Sequence, residues 1–378
     1  MVQRWSISRR RRQSEFDVVA PTDFGLRHPV EIAADAVAAN PHCSLYCFDF
    51  ENRRALFVET PPDIDVESAP FFYAAQYQHA VTVVTIPLAT FVRMAASLRL
   101  EPERIVLIYS VGRCGSTLLS AAFRALPNVQ SISEPDIFSQ LLVRRGWNHE
   151  HDDTIRTLLE ASLRWLCRIY GDGSAARTFV IKHRAFGIAL GDLFADVIPS
   201  APILFIYRDA RPWFHSVYRA FLRNINLDSA NLQRALEGFF SHVVRLVAEY
   251  HRPDRPLRLT QIWGLQWADA MERALEIQQR NLPLLLLRYE DLLREPQSAV
   301  RAILHHCGLA ANVGPVLAAM ATDSQSGTSI ARSAINQADA TISSQHLAEA
   351  MEMIATRPVV RMPDFVLPGT WTSAGSQT

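Results

Sequence analysis

Four short runs of this chain are apolar from end to end: RIVLIYS at 104–110, TFVIK at 178–182, PILFIY at 202–207 and LPLLLLRY at 282–289. A strand that is apolar on both faces must be covered on both, which a parallel sheet between helical layers achieves. Amphipathic segments separate the runs. Their spacing predicts helices at Thr117–Leu126, Thr154–Tyr170, Pro212–Leu222, Asn231–Glu249, Gln261–Arg280 and Gln297–His306. The expectation is an α/β fold of three layers, with a central parallel sheet flanked by helices.

The first hundred residues follow another pattern. Residues 41–60 alternate about Glu51-Asn52-Arg53-Arg54, which reads as a hairpin of SLYCFDF and ALFVET ended by Pro61-Pro62. AVTVVTI then reads as a strand and Leu88 to Leu98 as a helix, closing at the polar stretch Arg99 to Arg104. Residues 1–100 are therefore expected to form an N-terminal α+β extension, and residues 101–378 the layered unit. The start, MVQRWSISRRRRQSEF, resembles a twin-arginine signal only in its basic cluster. No apolar stretch follows it, so it reads as a solvated or mobile end. The tail after Pro363 reads as irregular.

Charge excludes several partners. Lys+Arg and Asp+Glu both total 38, so no global field draws the chain to nucleic acid or to an anionic membrane. The apolar stretch Ala80 to Leu98 is broken by Pro87 and Arg93, whereas a membrane helix needs ~20 largely apolar residues. Five scattered cysteines, Cys43, Cys47, Cys114, Cys167 and Cys307, form no CxxC pair. They suggest neither a disulfide framework nor a zinc site, and a cytoplasmic location fits them. Nothing in the sequence specifies an oligomeric state.

Among the 38 Lys and Arg residues only Lys182 is a lysine. A chain that replaces its solvated lysines so freely keeps one where a compact ammonium on a thin stem does what a guanidinium cannot. Lys182 ends TFVIK, at the strand end where open parallel sheets bind ligands.

Between IVLIYS and the helix-forming LLSAAF lies VGRCGST. A strand, a glycine turn and a helix in that order aim unpaired N–H groups and the positive end of the helix dipole at an anion in the turn. Gly112 and Gly115 allow close approach, and Ser116 and Thr117 add hydroxyl donors. The core is thus of P-loop type. A Walker A loop has lysine after its last glycine, and here Ser116 follows Gly115. No acidic Walker B strand end appears either.

Arg113-Cys114-Gly115-Ser116-Thr117-Leu118 resembles the 5′-phosphosulfate loop of the sulfotransferase family that uses 3′-phosphoadenosine 5′-phosphosulfate (PAPS), commonly R-S-G-T-T-L, with Cys114 in place of the usual serine. The resemblance continues in PILFIY followed by Arg208 and, eight residues on, Ser216, the pair that binds the 3′-phosphate in that family. LPLLLLRY with Glu290, Asp291 and Leu292, then Pro296, is similar to the family's late strand and acidic turn. The loop Asp323 to Ser329, with Gly327 and Thr328, continues to Arg332 where the family carries a late loop over the 3′-phosphate. Together these span about residues 104–335.

The resemblance implies a sulfotransferase moving a sulfuryl group from PAPS to a hydroxyl, with no metal. It is closer to the tyrosylprotein and bacterial branches than to the cytosolic aryl branch. Such transfer needs cations that stabilise the leaving phosphate and a base for the acceptor proton. Lys182 and Arg113 are the implied cations. Two residues compete for the base. Glu134, after SIS, matches the glutamate of the tyrosylprotein branch. His183 nearly matches the cytosolic K-T-H but lacks its spacer, and one residue along a strand reverses the face, so Glu134 is preferred.

The tryptophans Trp165, Trp213, Trp263 and Trp267 and the run Phe71-Phe72-Tyr73 read as core. The acceptor stays open among small-molecule, saccharide and lipid hydroxyls. The rival readings are a P-loop phosphotransferase using magnesium-ATP and a non-catalytic nucleotide-binding relative.

Overall fold

The computed structural model describes residues 1–14, 16–169, 177–310, 312–331 and 341–373. Among these, ten strands form two sheets. β1 (Gln3–Arg10), β2 (Phe24–Glu31), β3 (Cys43–Asp49), β4 (Arg54–Glu59) and β5 (Thr82–Pro87) make an antiparallel sheet in the order β2-β1-β5-β4-β3. β6 (Ile105–Ser110), β7 (Val129–Ser133), β8 (Thr178–Lys182), β9 (Ile203–Tyr207) and β10 (Leu284–Arg288) make a wholly parallel sheet in the order β10-β9-β6-β8-β7.

The apolar runs behave as their composition requires. Every residue of β6 and of β9 is buried. Each fully buried aliphatic side chain of this kind contributes roughly 1.5–3 kcal/mol, and helices cover both faces. β6 is the central strand, and the chain leaves it first towards β7 and β8 and later towards β9 and β10. Its carboxyl end is therefore the switch point at which such sheets open a crevice for ligands.

β4 is buried from Ala55 to Val58, and its period of two feeds two cores. Ala55 and Phe57 join the main core, which runs on into the parallel sheet. Leu56 and Val58 join a smaller cluster with Val19, Phe24, Tyr46 and Tyr73.

The amino terminus differs from its reading as a solvated or mobile end. It is β1, between β2 and β5, with Gln3 opposite Thr85 and Arg4 opposite Val84. Trp5 Nε1 donates to Thr85 Oγ1 at 3.0 Å, and Arg10 Nε donates to the Tyr77 carbonyl at 3.1 Å. The arginine run obscures the alternation of Trp5 and Ile7 with polar neighbours because one face of this sheet meets solvent.

The expected helix Asn231–Glu249 breaks at Val244, whose backbone is extended (φ −128°, ψ 110°), into Ala230–Val243 and Arg245–Tyr250. Pro212–Leu222 is the α-helix Ala210–Val217 followed by a π-helical turn, Tyr218–Leu222. Two further helices, Val313–Met320 and Ser344–Ala355, complete the flanks. The latter packs on Leu259–Gln279 at Gly264, where any Cβ would fall 2.4 Å from the Ala350 carbonyl oxygen.

Candidate active site

The carboxyl ends of the five parallel strands deliver the site. β6 feeds the loop at 111–115, β7 ends before Glu134, β8 ends in Lys182, β9 is followed by Arg208, and β10 by Tyr289 and Glu290.

In the loop, Gly112 (φ 77°), Arg113 (φ 49°) and Gly115 (φ 83°) are left-handed. Successive N–H groups so turned form a concave nest for an anion, and the helix Ser116–Phe123 begins directly after it. At Gly115 a side chain is excluded twice, by its φ and by Tyr289, whose ring would lie 3.0 Å from the added Cβ. The Gly112 N–H donates to Ser110 Oγ at 3.2 Å and the Ser110 hydroxyl to Ser116 Oγ at 3.1 Å, which leaves the Ser116 proton to donate elsewhere. Trp213 Nε1 holds the loop from behind, donating to the carbonyls of Val111 (3.2 Å) and Gly112 (2.9 Å). Cys114 turns away from the nest: its thiol donates to the Ile206 carbonyl at 3.1 Å, and burial pushes its pKa up to about 11. The serine-to-cysteine departure thus leaves the backbone N–H at 114 as that residue's contribution. Thr117 and Leu118 lie in the first turn of the helix, with Leu118 buried.

Arg113 and Arg208 bring two guanidiniums together here. The Arg113 guanidinium donates only to neutral oxygens, Gln325 Oε1 at 2.9 Å and Ser216 Oγ at 3.4 Å. Among the described residues no carboxylate pairs with it. Burial, and then the neighbouring charges of Arg208 and Arg219, lower its pKa. Arg208 lies over the Tyr289 ring at 4.9 Å and reaches Glu290 only at 3.7 Å, and its buried Nε finds no hydrogen-bond partner. A half-buried guanidinium such as Arg113, with no carboxylate partner among the described residues, has charge to offer an anion, and Arg208 adds a second cation beside it.

Lys182 is 4% exposed and pairs with the Glu134 carboxylate. Glu134 has a positive φ (59°), whereas a residue before proline ordinarily takes extended backbone. Its N–H donates to the Lys182 carbonyl at 2.6 Å, extending the β7–β8 ladder by one residue. His183 points elsewhere, stacked on Tyr109 (ring centroids 4.7 Å, 20° between planes) and edge-on to Phe194 (4.8 Å). Burial, and then the Lys182 charge, lower its pKa to about 3, so the imidazole is neutral.

Of the sequence candidates, the structure gathers Arg113, Gly115, Ser116, Arg208, Ser216, Glu134 and Lys182 at the strand ends. The late loop reaches them through Gln325, whose carbonyl accepts from the Thr328 hydroxyl at 2.7 Å in a turn that Gly327 (φ 80°) permits. Arg332 lies outside the described residues. Sequence reasoning missed Gln325, Tyr289, Arg219 and Arg184. Arg184 bonds Asp136 Oδ1 at 3.0 Å and lies 4.0 Å from Glu134. Its signal was available, since it stands two residues from Lys182 and a strand period of two keeps one face.

A cavity of about 250 Å³ lined by Arg145, Trp147, Arg245 and Arg273 holds none of these residues, and its arginines are already paired with carboxylates. Among the described residues no group of three or more His, Cys, Asp and Glu is placed to hold a metal ion, and no helix is long and apolar enough to cross a membrane.

The sulfotransferase family's sequence model matches residues 106–312, more than half of the chain, from within β6 to beyond the helix Pro296–His306. This chain belongs to the sulfotransferase family. Similar solved structures include a sulfotransferase from Alicyclobacillus acidocaldarius, at 15% identity over 56% of this chain and 83% of that one with a TM-score of 0.34. A mouse sulfotransferase complexed with PAP is similar at 11% identity over 73% and 94%, TM-score 0.36. A sulfotransferase from Mycobacterium tuberculosis is similar at 12% over 69% and 78%, TM-score 0.36. Comparison with curated protein sequences finds no match. Sulfuryl transfer is the general activity that membership of the family carries for this sulfotransferase.

Proposed function

We propose that this sulfotransferase moves a sulfuryl group from PAPS to the hydroxyl of a small-molecule, saccharide or lipid acceptor, giving a sulfate ester and 3′,5′-adenosine bisphosphate. Residues 101–378 form the transferase unit and residues 1–100 an extension to it. The observation that carries the reading is the Arg113 guanidinium in the nest, which donates to Ser216 Oγ and pairs with no carboxylate among the described residues, with Arg208 beyond β9 as its neighbouring cation. A donor charged at both ends of its adenosine supplies an anion for each.

In this reading PAPS brings the activated sulfuryl group. The loop N–H groups at 112–117, with the Arg113 guanidinium and the Ser116 and Thr117 hydroxyls, hold the 5′-phosphosulfate end. Arg208 and Ser216 hold the 3′-phosphate, with the turn at Gly327 and Thr328 beside it. Lys182 exchanges its bond to Glu134 for one to the leaving phosphate, offsetting the charge that develops on the bridging oxygen. Glu134, released, accepts the proton of the acceptor hydroxyl. One S–O bond forms to the acceptor oxygen, one breaks to the phosphate, and the proton ends on Glu134.

The charge neutralised by magnesium in Walker loops falls here to Lys182 and the arginines, so no metal is needed. The five cysteines, all free and buried, suit a cytoplasmic setting. Thermal-shift measurement tests the reading. Stabilisation by 3′,5′-adenosine bisphosphate in the presence of a chelator is expected, and stabilisation by magnesium-ATP alone overturns it.

A further inference from the structure

The segment from Pro363 to Trp371 holds neither helix nor strand and exposes Val366, which agrees with its reading as an irregular tail. Its hydrogen bonds nevertheless converge on one turn of the site. That turn is Tyr207–Ala210, between β9 and the helix Ala210–Val217, and it carries Arg208.

The turn is pinned residue by residue. The Arg208 carbonyl accepts from Trp267 Nε1 at 2.9 Å. Asp209 stands at the cap position of the helix but gives its carboxylate to Arg288, accepting from Nη2 at 2.8 and 3.0 Å, and makes no cap bond. The first N–H of the helix then needs an acceptor from elsewhere. The tail supplies it: the Ala210 N–H donates to the Pro363 carbonyl at 2.7 Å.

On the other side of Arg208 the tail closes a ring of hydrogen bonds with Tyr207, which is fully buried. The Leu367 N–H donates to the Tyr207 hydroxyl at 3.2 Å, and the Thr370 hydroxyl donates to the Leu367 carbonyl at 2.7 Å. Thr370 has one hydroxyl proton, so the 2.7 Å bond between Tyr207 and Thr370 is donated by the tyrosine. Every donor of the ring has its acceptor within the ring, and such a circuit gains from mutual polarisation. Beyond it the Trp371 N–H donates to the Leu286 carbonyl at 2.9 Å, on the edge strand β10.

The tail thus grips Tyr207 and Ala210, on either side of Arg208 and Asp209. The Arg208 guanidinium, by contrast, makes only the looser contacts to the Tyr289 ring and to Glu290. A long side chain with so few ties of its own is aimed by the backbone that carries it, and a ligand group is held well only where that support is rigid.

Resting on the sulfotransferase reading, we propose that the C-terminal segment Pro363–Trp371 positions Arg208 for the donor's 3′-phosphate, so that docking of the tail and binding of the donor stabilise each other. The reciprocity is required by linkage: if the docked tail favours the donor, the donor favours the docked tail by the same factor. The family's sequence model ends at residue 312, so this segment lies outside what the family match describes.

The test is calorimetric titration of 3′,5′-adenosine bisphosphate and of 5′-adenosine monophosphate into the full chain, with hydrogen exchange of the Leu367 and Trp371 amides followed in parallel. Thr370→Val opens the ring and should weaken the bisphosphate roughly 5- to 10-fold, while the monophosphate, which lacks the 3′ group, stays within about twofold of the parent. Thr370→Ser keeps the hydroxyl and should bind both as the parent does. In the parent, the bisphosphate should slow exchange at both amides more than the monophosphate does at equal saturation. Melting temperatures show that the variants fold, and the exchange comparison, made on the parent, decides if Thr370→Val does not. Equal losses for the two nucleotides, unchanged bisphosphate affinity in Thr370→Val, or tail exchange indifferent to the 3′ group overturns the positioning role and leaves the donor site standing. A parent that binds no bisphosphate overturns the sulfotransferase reading, and the role of the tail with it.

Discussion

Lys182 and Glu134 are joined twice, by an ion pair between their side chains and by a 2.6 Å hydrogen bond from the Glu134 N–H to the Lys182 carbonyl. The backbone bond fixes the spacing of the two residues, while the side-chain pair is free to open. A buried pair of this kind holds each charge until a better partner arrives. In the proposed mechanism, arrival of the donor's anion at the loop is such an event, drawing the ammonium away and baring the carboxylate for the acceptor hydroxyl.

That exchange needs a compact cation. Lys182→Arg keeps the charge but replaces the ammonium by a planar fork held in a buried site. Turnover should fall by roughly 10²–10³-fold, as for loss of one preorganised donor, while titration finds bisphosphate affinity changed by less than about tenfold. Near-parental turnover would remove Lys182 from the mechanism.

His183 is held neutral inside an aromatic box, with a pKa near 3 because of burial. Its proton affinity is lower in the folded than in the unfolded chain, so its contribution to stability is complete above the unfolded value of ~6.5 and is lost as pH falls towards the folded value. Below that unfolded value each pH unit costs up to about 1.4 kcal/mol from this group. His183→Phe should therefore flatten the loss of stability measured by urea unfolding between about pH 6.5 and about pH 5. It should also retain activity, which a histidine base would not allow.

Arg208 and Ser216 are assigned to one phosphate group. Arg208→Gln is expected to weaken 3′,5′-adenosine bisphosphate by about 10- to 100-fold, the worth of a charge-assisted bond. The same change should leave 5′-adenosine monophosphate, which lacks the 3′ group, almost unaffected. Ser216→Ala should show the same selectivity at smaller amplitude. Equal losses for both nucleotides by calorimetry would place Arg208 elsewhere on the donor.

Asp136 is buried and takes two bonds, one from Arg184 and one from the Val19 N–H. Asp136→Ala leaves a buried guanidinium and an amide without their acceptor. Stability should drop by roughly 3–5 kcal/mol, the cost of breaking a buried pair from one side. Hydrogen exchange at residues 16–19 should rise more than the global change explains. Uniform exchange across the chain would show that Asp136 does not hold the extension.

The parallel sheet was legible because β6, β8, β9 and β10 are apolar on both faces, a pattern that few other environments tolerate. The loop was legible for a related reason, as glycines at 112 and 115 between such a strand and a helix have few other uses. Lys182 stood out against a background of arginine, and the face reversal that separates it from His183 followed from strand geometry alone. What stayed hidden depends on partners distant in sequence. Gln325 reads as a loop glutamine until Arg113 is placed beside it, and β1 reads as a basic tail until β2 and β5 close around it. Trp213 was expected in the core, and it is buried there. Its indole N–H nevertheless serves the loop, a role set by tertiary placement that periodicity does not carry.

A crystal structure of the chain with 3′,5′-adenosine bisphosphate bound tests the central claim most directly. The account predicts the 5′-phosphate in the nest at 112–117, the 3′-phosphate on Arg208 and Ser216, and Lys182 Nζ on a 5′-phosphate oxygen with the Glu134 carboxylate open to the acceptor side. A nucleotide bound elsewhere, or Lys182 still paired with Glu134 beneath a filled nest, would contradict it.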